Sequence, residues 1–424
     1  MPMPSSIRQY IDSVPVVDVH EHHIPEILLS SGVNLLELFQ QSYAGWTQAR
    51  PYTLPTESRE SDPMLVASGP TTWKQLAPFL ENSGSNSFIR NLSRAVTELH
   101  GSGDGEITEK NWKELDASVR EKHKNPAWCR EVIQEAGIDR LITDPYTDPL
   151  LDAQASLGKN YNSVLRINAL ACAWHPESRD HNDNSGLALL RRAGVTPNSF
   201  EDYLDGLETL VDGMSGRHQV ALKNALAYDR DLSFDEPDEK LAKRAWGKAA
   251  PDSAERKAFS DLVVDRLCRL AGERHIPVQM HLGTAIIQGS HPLKVAGLLE
   301  RHPHTRFLLM HFAYPWSRDL LGMAFVYRNV WLDLTWSLLL SPSHFKLALE
   351  EAIEMLPDES RMMFGGDNWH VEETFGTIKL ARQLIGEVLE AKIASGYFDE
   401  ASARRLGRKM LRENAIAFFK LGGL

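Results

Sequence analysis

Cysteine is scarce, with three in 424 residues: Cys129, Cys172 and Cys268. They are odd in number, far apart and in no CxxC spacing. That excludes a disulfide framework and a cysteine-rich zinc site, and makes a reducing compartment the expected setting. Long apolar runs are missing too; none nears the ~20 residues a membrane helix needs. Met1–Val19 has no basic stretch followed by an apolar core, so no signal peptide is expected. Positive charge is in deficit. A formal net charge of -11 argues against nucleic acid and anionic membranes as partners. No internal repeat and no low-complexity linker interrupts the chain. The remaining expectation is a soluble cytoplasmic protein, a homo-oligomer, acting on a small molecule.

What is present is a rhythm. Eight short β-branched or apolar runs alternate with helical stretches such as Glu255–Arg274, Leu293–Arg301 and Phe345–Leu356. The runs are Val14–His20, Asp139–Asp144, Val164–Ala169, Gln219–Ala227, Pro277–Leu282, Arg306–Phe312, Val330–Trp336 and Met362–Asp367. Runs this short do not separate strand from buried helix by period alone, but their lengths and flanking Pro and Gly favour strands. Eight strands alternating with helices predict a distorted TIM-type (β/α)8 barrel. Nearly every run closes on a polar residue: His20, Asp144, Lys223 or Asn224, His281, His311, Thr335, Asp367. The carboxyl ends of the strands are where barrel enzymes keep their chemistry.

A hundred residues between the first two runs are too many for a bare loop. Helical patterns at Leu35–Ala44, Thr72–Leu80 and Ser87–Leu99 predict a helical insertion over 26–125 that caps the barrel mouth. Residues 1–25 and 126–424 then form the catalytic barrel. A charged, Pro-containing excursion over 229–254 follows the fourth run, and Ala401–Leu424 reads as an amphipathic helix.

The chemical signal is Asp18-Val-His20-Glu-His22. Residues i and i+2 of a strand share a face, so His20 and His22 can hold one ion, as neutral imidazoles hold zinc, iron or manganese. The alternate residues Glu21 and His23 turn away. His302-Pro-His304 has the same spacing but precedes the sixth run, at the opposite end of a barrel, and is read as surface loop. His281, His311 and Asp367 end later runs and complete a candidate ligand set.

That order of HxH, His, His and Asp resembles the amidohydrolase superfamily. VVDVHEHHIPE, with Pro25 three residues after His22, is similar to the HxHxxP opening of its amidohydrolase-2 branch. MHFAYPW and FGGDNW resemble that branch's sixth and eighth strand ends, and the long insertion resembles uronate isomerases. The resemblance spans essentially the whole chain. It implies one or two divalent transition metals, zinc foremost, with iron or manganese as alternatives. His20, His22 and His281 would be ligands; Asp367 would be a ligand and proton shuttle; His311 would be a second-metal ligand or a catalytic group. Lys223 keeps three readings: a carboxylated lysine bridging two ions, a point charge for a substrate carboxylate, or a salt bridge to Asp144 or Asp18.

The chemistry such a site implies first is hydrolysis of an amide, ester or lactone, with a metal-activated water as nucleophile and Asp367 passing the proton. Uronate isomerisation and decarboxylation come next, then diiron oxygenation. The non-enzyme rival is a binding barrel that keeps a metal for stability; the absence of cysteine among the candidates and an open mouth speak against it. Substrate contacts are expected from Arg166, which alternatively pairs with Asp144, and from His175, Tyr228, Trp336 and Trp369, for each of which lid packing is the alternative. Tyr43 is assigned to the interior of the insertion.

Overall fold

The computed structural model describes residues 6–46, 72–101 and 103–422. Eight strands run β1 (Val16–Glu21), β2 (Ile138–Thr143), β3 (Tyr161–Arg166), β4 (Gln219–Asn224), β5 (Val278–Met280), β6 (Phe307–Leu309), β7 (Val330–Asp333) and β8 (Met362–Met363). They form one sheet in sequential order, and the ladders from β2/β3 to β7/β8 are parallel. Helix separates each consecutive pair. Sequential, parallel and helix-linked is the connectivity of a (β/α)8 barrel. Each expected run overlaps one strand, with β3 starting three residues before its run. All six residues of β1 and of β3 are buried, as in a sheet covered on both faces.

All strands but β1 end earlier than their apolar runs. β5 and β6 have three residues each and β8 has two, so His281, His311 and Asp367 stand just beyond the ladders. The backbone turns left-handed at His311, Trp336 and Asp367, with φ of 63°, 61° and 69°. A residue in that region cannot continue a β ladder.

The chain divides into two compact units. The first comprises 1–139, 336–349 and 366–408. Between β1 and β2 its described secondary-structure elements are helices, including α1 (Leu35–Gln40), α2 (Ser87–His100), α3 (Trp112–Lys122) and α4 (Trp128–Glu135). Asn34 and Asn86 cap α1 and α2, each side chain accepting two free amides of the first turn. Ile89, Leu92 and Val96 recur at helical spacing and meet Leu35, Leu38, Phe39, Leu115 and Val119 in one apolar cluster. Each such side chain contributes about 1.5–3 kcal/mol on burial. Residues 47–71 of the expected insertion lie outside the described residues. After β8 comes α5 (Val371–Ala394), 24 residues long. Its Arg382 donates to the carbonyls of Val14 and Ala136, at 2.8 and 2.9 Å.

The second unit comprises 140–335, 350–365 and 409–424. Helices Phe200–Asp212 and Ser253–Glu273 both begin with capping boxes, from Ser199 and Asp252. Their Phe200, Tyr203 and Phe259 rings pack at 5.5–5.9 Å. The charged excursion carries one short helix, Glu239–Ala245.

Two expectations need correction. The tail is not one helix: Glu400–Arg408 passes through a π-helical turn, Lys409–Glu413, into Asn414–Phe419. His302 is not on the surface; it is buried with Nε2 2.8 Å from Asp265 Oδ1, and only His304 is exposed. Among the described residues, no helix is long and apolar enough to cross a membrane.

Candidate metal centre

In the first unit the strand period places Asp18 and His20 on one side of β1, and His22 follows the strand end. The segment after β8 is tied alongside by main-chain bonds. The amides of Gly366 and Asp367 reach the His20 carbonyl at 3.2 and 2.7 Å, and the His22 amide reaches the Asn368 carbonyl at 2.8 Å. Asp367 Oδ1 thereby lies 3.5 Å from His20 Nε2 and 3.1 Å from His22 Nε2. These ligand-type atoms all fall within 4.8 Å of one another. Bonds of ~2.0–2.1 Å to a tetrahedral ion put neighbouring ligands about 3.3 Å apart, so the spacing fits a common ion. Burial raises the Asp367 carboxyl, but the His20 and His22 rings more than offset it and hold it well below the usual range.

Aromatic rings flank this group. Trp369 stacks on His22, with centroids 5.4 Å apart and planes at 20°. Tyr43 packs on Trp369 at 4.6 Å and on Trp336 at 4.9 Å. Tyr43 therefore belongs to the wall of the candidate site as well as to the helical span. All three rings are buried.

Sequence reasoning gave three carboxylates here no place in the candidate site. Asp18 and Glu21 are both fully buried and bond the segment that carries Asp367. Asp18 shares strand parity with His20 and His22, a signal legible in DVHEH. Glu372, in the first turn of α5, receives His123 Nε2 at 2.8 Å, His100 Nε2 at 3.1 Å and Trp128 Nε1 at 3.3 Å on one oxygen. His23 does turn away from the ligands, but into the interior, where Nε2 meets Thr374 Oγ1 at 2.9 Å.

In the second unit His281 and His311 come together. His281 Nε2 donates to the Thr284 carbonyl at 3.2 Å, and its Nδ1 faces His311 Nε2 at 2.9 Å. Tyr228 lies on His281 at 4.6 Å and on His181 at 5.0 Å. Lys223 is buried at the end of β4 with Nζ 2.7 Å from Met310 Sδ. Arg166 makes the inward ion pair: Nη1 donates to Asp144 Oδ2 at 2.5 Å and Nη2 to His181 Nε2 at 3.1 Å. His181 is held in turn by Asp229, Nδ1 to Oδ2 at 2.8 Å; neither residue was singled out from sequence. His175 sits in a local turn, its Nδ1 accepting the Glu177 amide at 3.2 Å.

The connectivity and the His–His–carboxylate group define a class: α/β-barrel enzymes with their chemistry at the carboxyl ends of the strands. Comparison with known proteins narrows it. Residues 219–421 match the Amidohydro_2 family, described as amidohydrolase. Protein fluG of Emericella nidulans is 22% identical over 98% of this chain and 47% of its own length; the chain spans about half of that curated relative. The solved uronate isomerase of Thermotoga maritima superposes with a TM-score of 0.73 at 15% identity, covering 97% of this chain and 96% of that one. The glucuronate isomerase of Caulobacter crescentus gives 0.72 at 14%, covering 99% and 94%. At such identities these two structures speak for the fold. Residues 219–421, just under half of the chain, are thus similar to the amidohydrolase family, and the chain has the fold of the two isomerases.

Proposed function

We propose that this enzyme is a metal-dependent hydrolase of an amide, ester or lactone in a small molecule, its ion held by His20, His22 and Asp367. The observation that carries the reading is the meeting of those three ligand-type groups, from β1 and the segment after β8, in one buried cluster. The donor set suits a transition dication, zinc first, then iron or manganese. Two imidazoles and a carboxylate without thiolate is the three-ligand set of catalytic sites that keep a position open. When bound, the ion would supply Lewis acidity and acidify a water.

The chain's own groups do the rest. His20 from β1, and His22 just beyond its end, orient the site. Asp367 is the general base, with Oδ1 directed at both imidazoles. Trp369 covers one face of His22 and, with Tyr43 and Trp336, keeps that side apolar. His281, His311 and Lys223 remain ligand candidates on the sequence argument, and a cytoplasmic setting belongs to the same proposal. A second reading, proton transfer between adjacent carbons of a sugar acid, draws on the isomerases that share the fold over nearly the whole chain.

Elemental analysis of purified protein tests the core. One or two transition ions per chain are expected, lost in His20→Ala, whereas Asp367→Asn loses far more activity than metal. A folded chain that neither carries nor takes up metal refutes the reading. Turnover of a hexuronate, with none of an ester, lactone and amide panel, replaces hydrolysis by isomerisation.

A further inference from the structure

Asp367 lies between two residues that are pinned by side chains of β1. Asp18 Oδ1 accepts the amides of His20 at 3.1 Å and of Gly366 at 3.0 Å. Glu21 Oε2 accepts the Asn368 amide at 2.5 Å, and Oε1 accepts Asn368 Nδ2 at 3.2 Å. On its far side, Asn368 Oδ1 accepts Thr377 Oγ1 at 3.1 Å, and Asn91 Nδ2 donates to that hydroxyl at 3.3 Å. The approach is so close that a Cβ on Gly366 would fall on Glu21 Oε1 and Asn368 Nδ2. Between these pins Asp367 holds a left-handed backbone, a state that a non-glycine residue keeps only where its surroundings impose it.

Strand alternation turns Glu21 away from the ligands, so it does not compete for the ion. Its carboxylate goes instead to the residue after Asp367, and that of Asp18 to the residue before. We infer that Asp18 and Glu21 are positioning residues: they fix 366–368 so that Asp367 meets His20 and His22 before any ion arrives. This rests on the reading of those three as the metal centre. Groups that orient ligands from behind typically contribute 10–100-fold to metal affinity.

The test is cobalt(II) titration of the full chain against a competing chelator, followed by visible absorption, with thermal unfolding alongside. Glu21→Ala should stay folded, bind cobalt about 10–100-fold more weakly and show altered ligand-field bands. Glu21→Gln keeps a carbonyl acceptor for the Asn368 amide and should fall between Glu21→Ala and wild type. Equal affinity and identical bands in wild type and Glu21→Ala overturn the inference and leave the metal reading intact. Should Glu21→Ala fail to fold, Asp18→Ala, which removes the acceptor for both amides, carries the test: weaker binding with altered bands supports it, an unchanged titration overturns it. A folded wild type that takes up no cobalt overturns both readings.

Discussion

Glu372 is a buried anion with no metal ligand among its partners, so its contribution can be measured apart from the candidate centre. One of its oxygens takes hydrogen bonds from His100, His123 and Trp128, which arrive from α2, from the residue after α3, and from α4. A hydrogen bond to a charged group contributes about 1.5–3 kcal/mol, and removing one partner of a buried ionic set costs about 3–5 kcal/mol. Glu372→Gln keeps the shape and one acceptor while losing the charge, which places it at the low end, about 3 kcal/mol. With an m-value of about 3 kcal/mol per molar urea, the unfolding midpoint should fall by roughly 1 M. The pH dependence has a definite sign. Burial raises this carboxyl, but the His100 and His123 bonds outweigh it and hold its folded-state pKa well below the usual value. Its contribution is therefore fully present above the unfolded value of ~4.3 and is lost as the pH falls through the folded one. Urea unfolding of both proteins by circular dichroism, at pH 7 and at steps below 5, reads this directly. The gap should be widest near neutrality and close on acidification, with metal content unchanged. Coincident midpoints at pH 7, or a gap that widens in acid, would refute the reasoning.

Gly366→Ala puts a methyl group where Glu21 and Asn368 already meet; it should fold and lose metal affinity, read by the same cobalt titration, and undiminished affinity would show that the turn has slack. Asp144→Ala strands the Arg166 guanidinium in a buried site and should cost about 3–5 kcal/mol in urea unfolding; a loss under about 1 kcal/mol, the worth of an exposed pair, would place that pair in water.

All eight strands were legible because each is a short apolar run closed by a polar residue, and a covered parallel sheet demands that pattern. HxH was legible because strand period and ligand chemistry coincide in three residues. Two kinds of feature were not. One is where a ladder stops: nothing in RFLLMHF says that pairing ends at Leu309 and that His311 turns left-handed, since backbone reversal there is set by packing rather than by glycine or proline. The other is distant pairing of charge. Glu372 lies in an unremarkable VEET, and its partners His100 and His123 are ordinary helix-end histidines until the fold brings them together. His302 was misjudged for the same reason; its Asp265 partner sits on another helix. Asp18 is the exception, since its parity with His20 and His22 was there to be read.

The bond from Gly366 to Asp18 spans 348 residues. A nascent chain therefore carries His20 and His22 well before the segment 366–368 that bonds β1 has been synthesised. Until residue 368 is made, these imidazoles have neither Asp367 nor the turn that aims it. An ion caught then would meet at most two of the three proposed ligands and could leave again; one caught afterwards would find all three. Tight binding by the proposed centre would thus act as a timestamp on assembly, marking that residues 366–368 have docked beside β1.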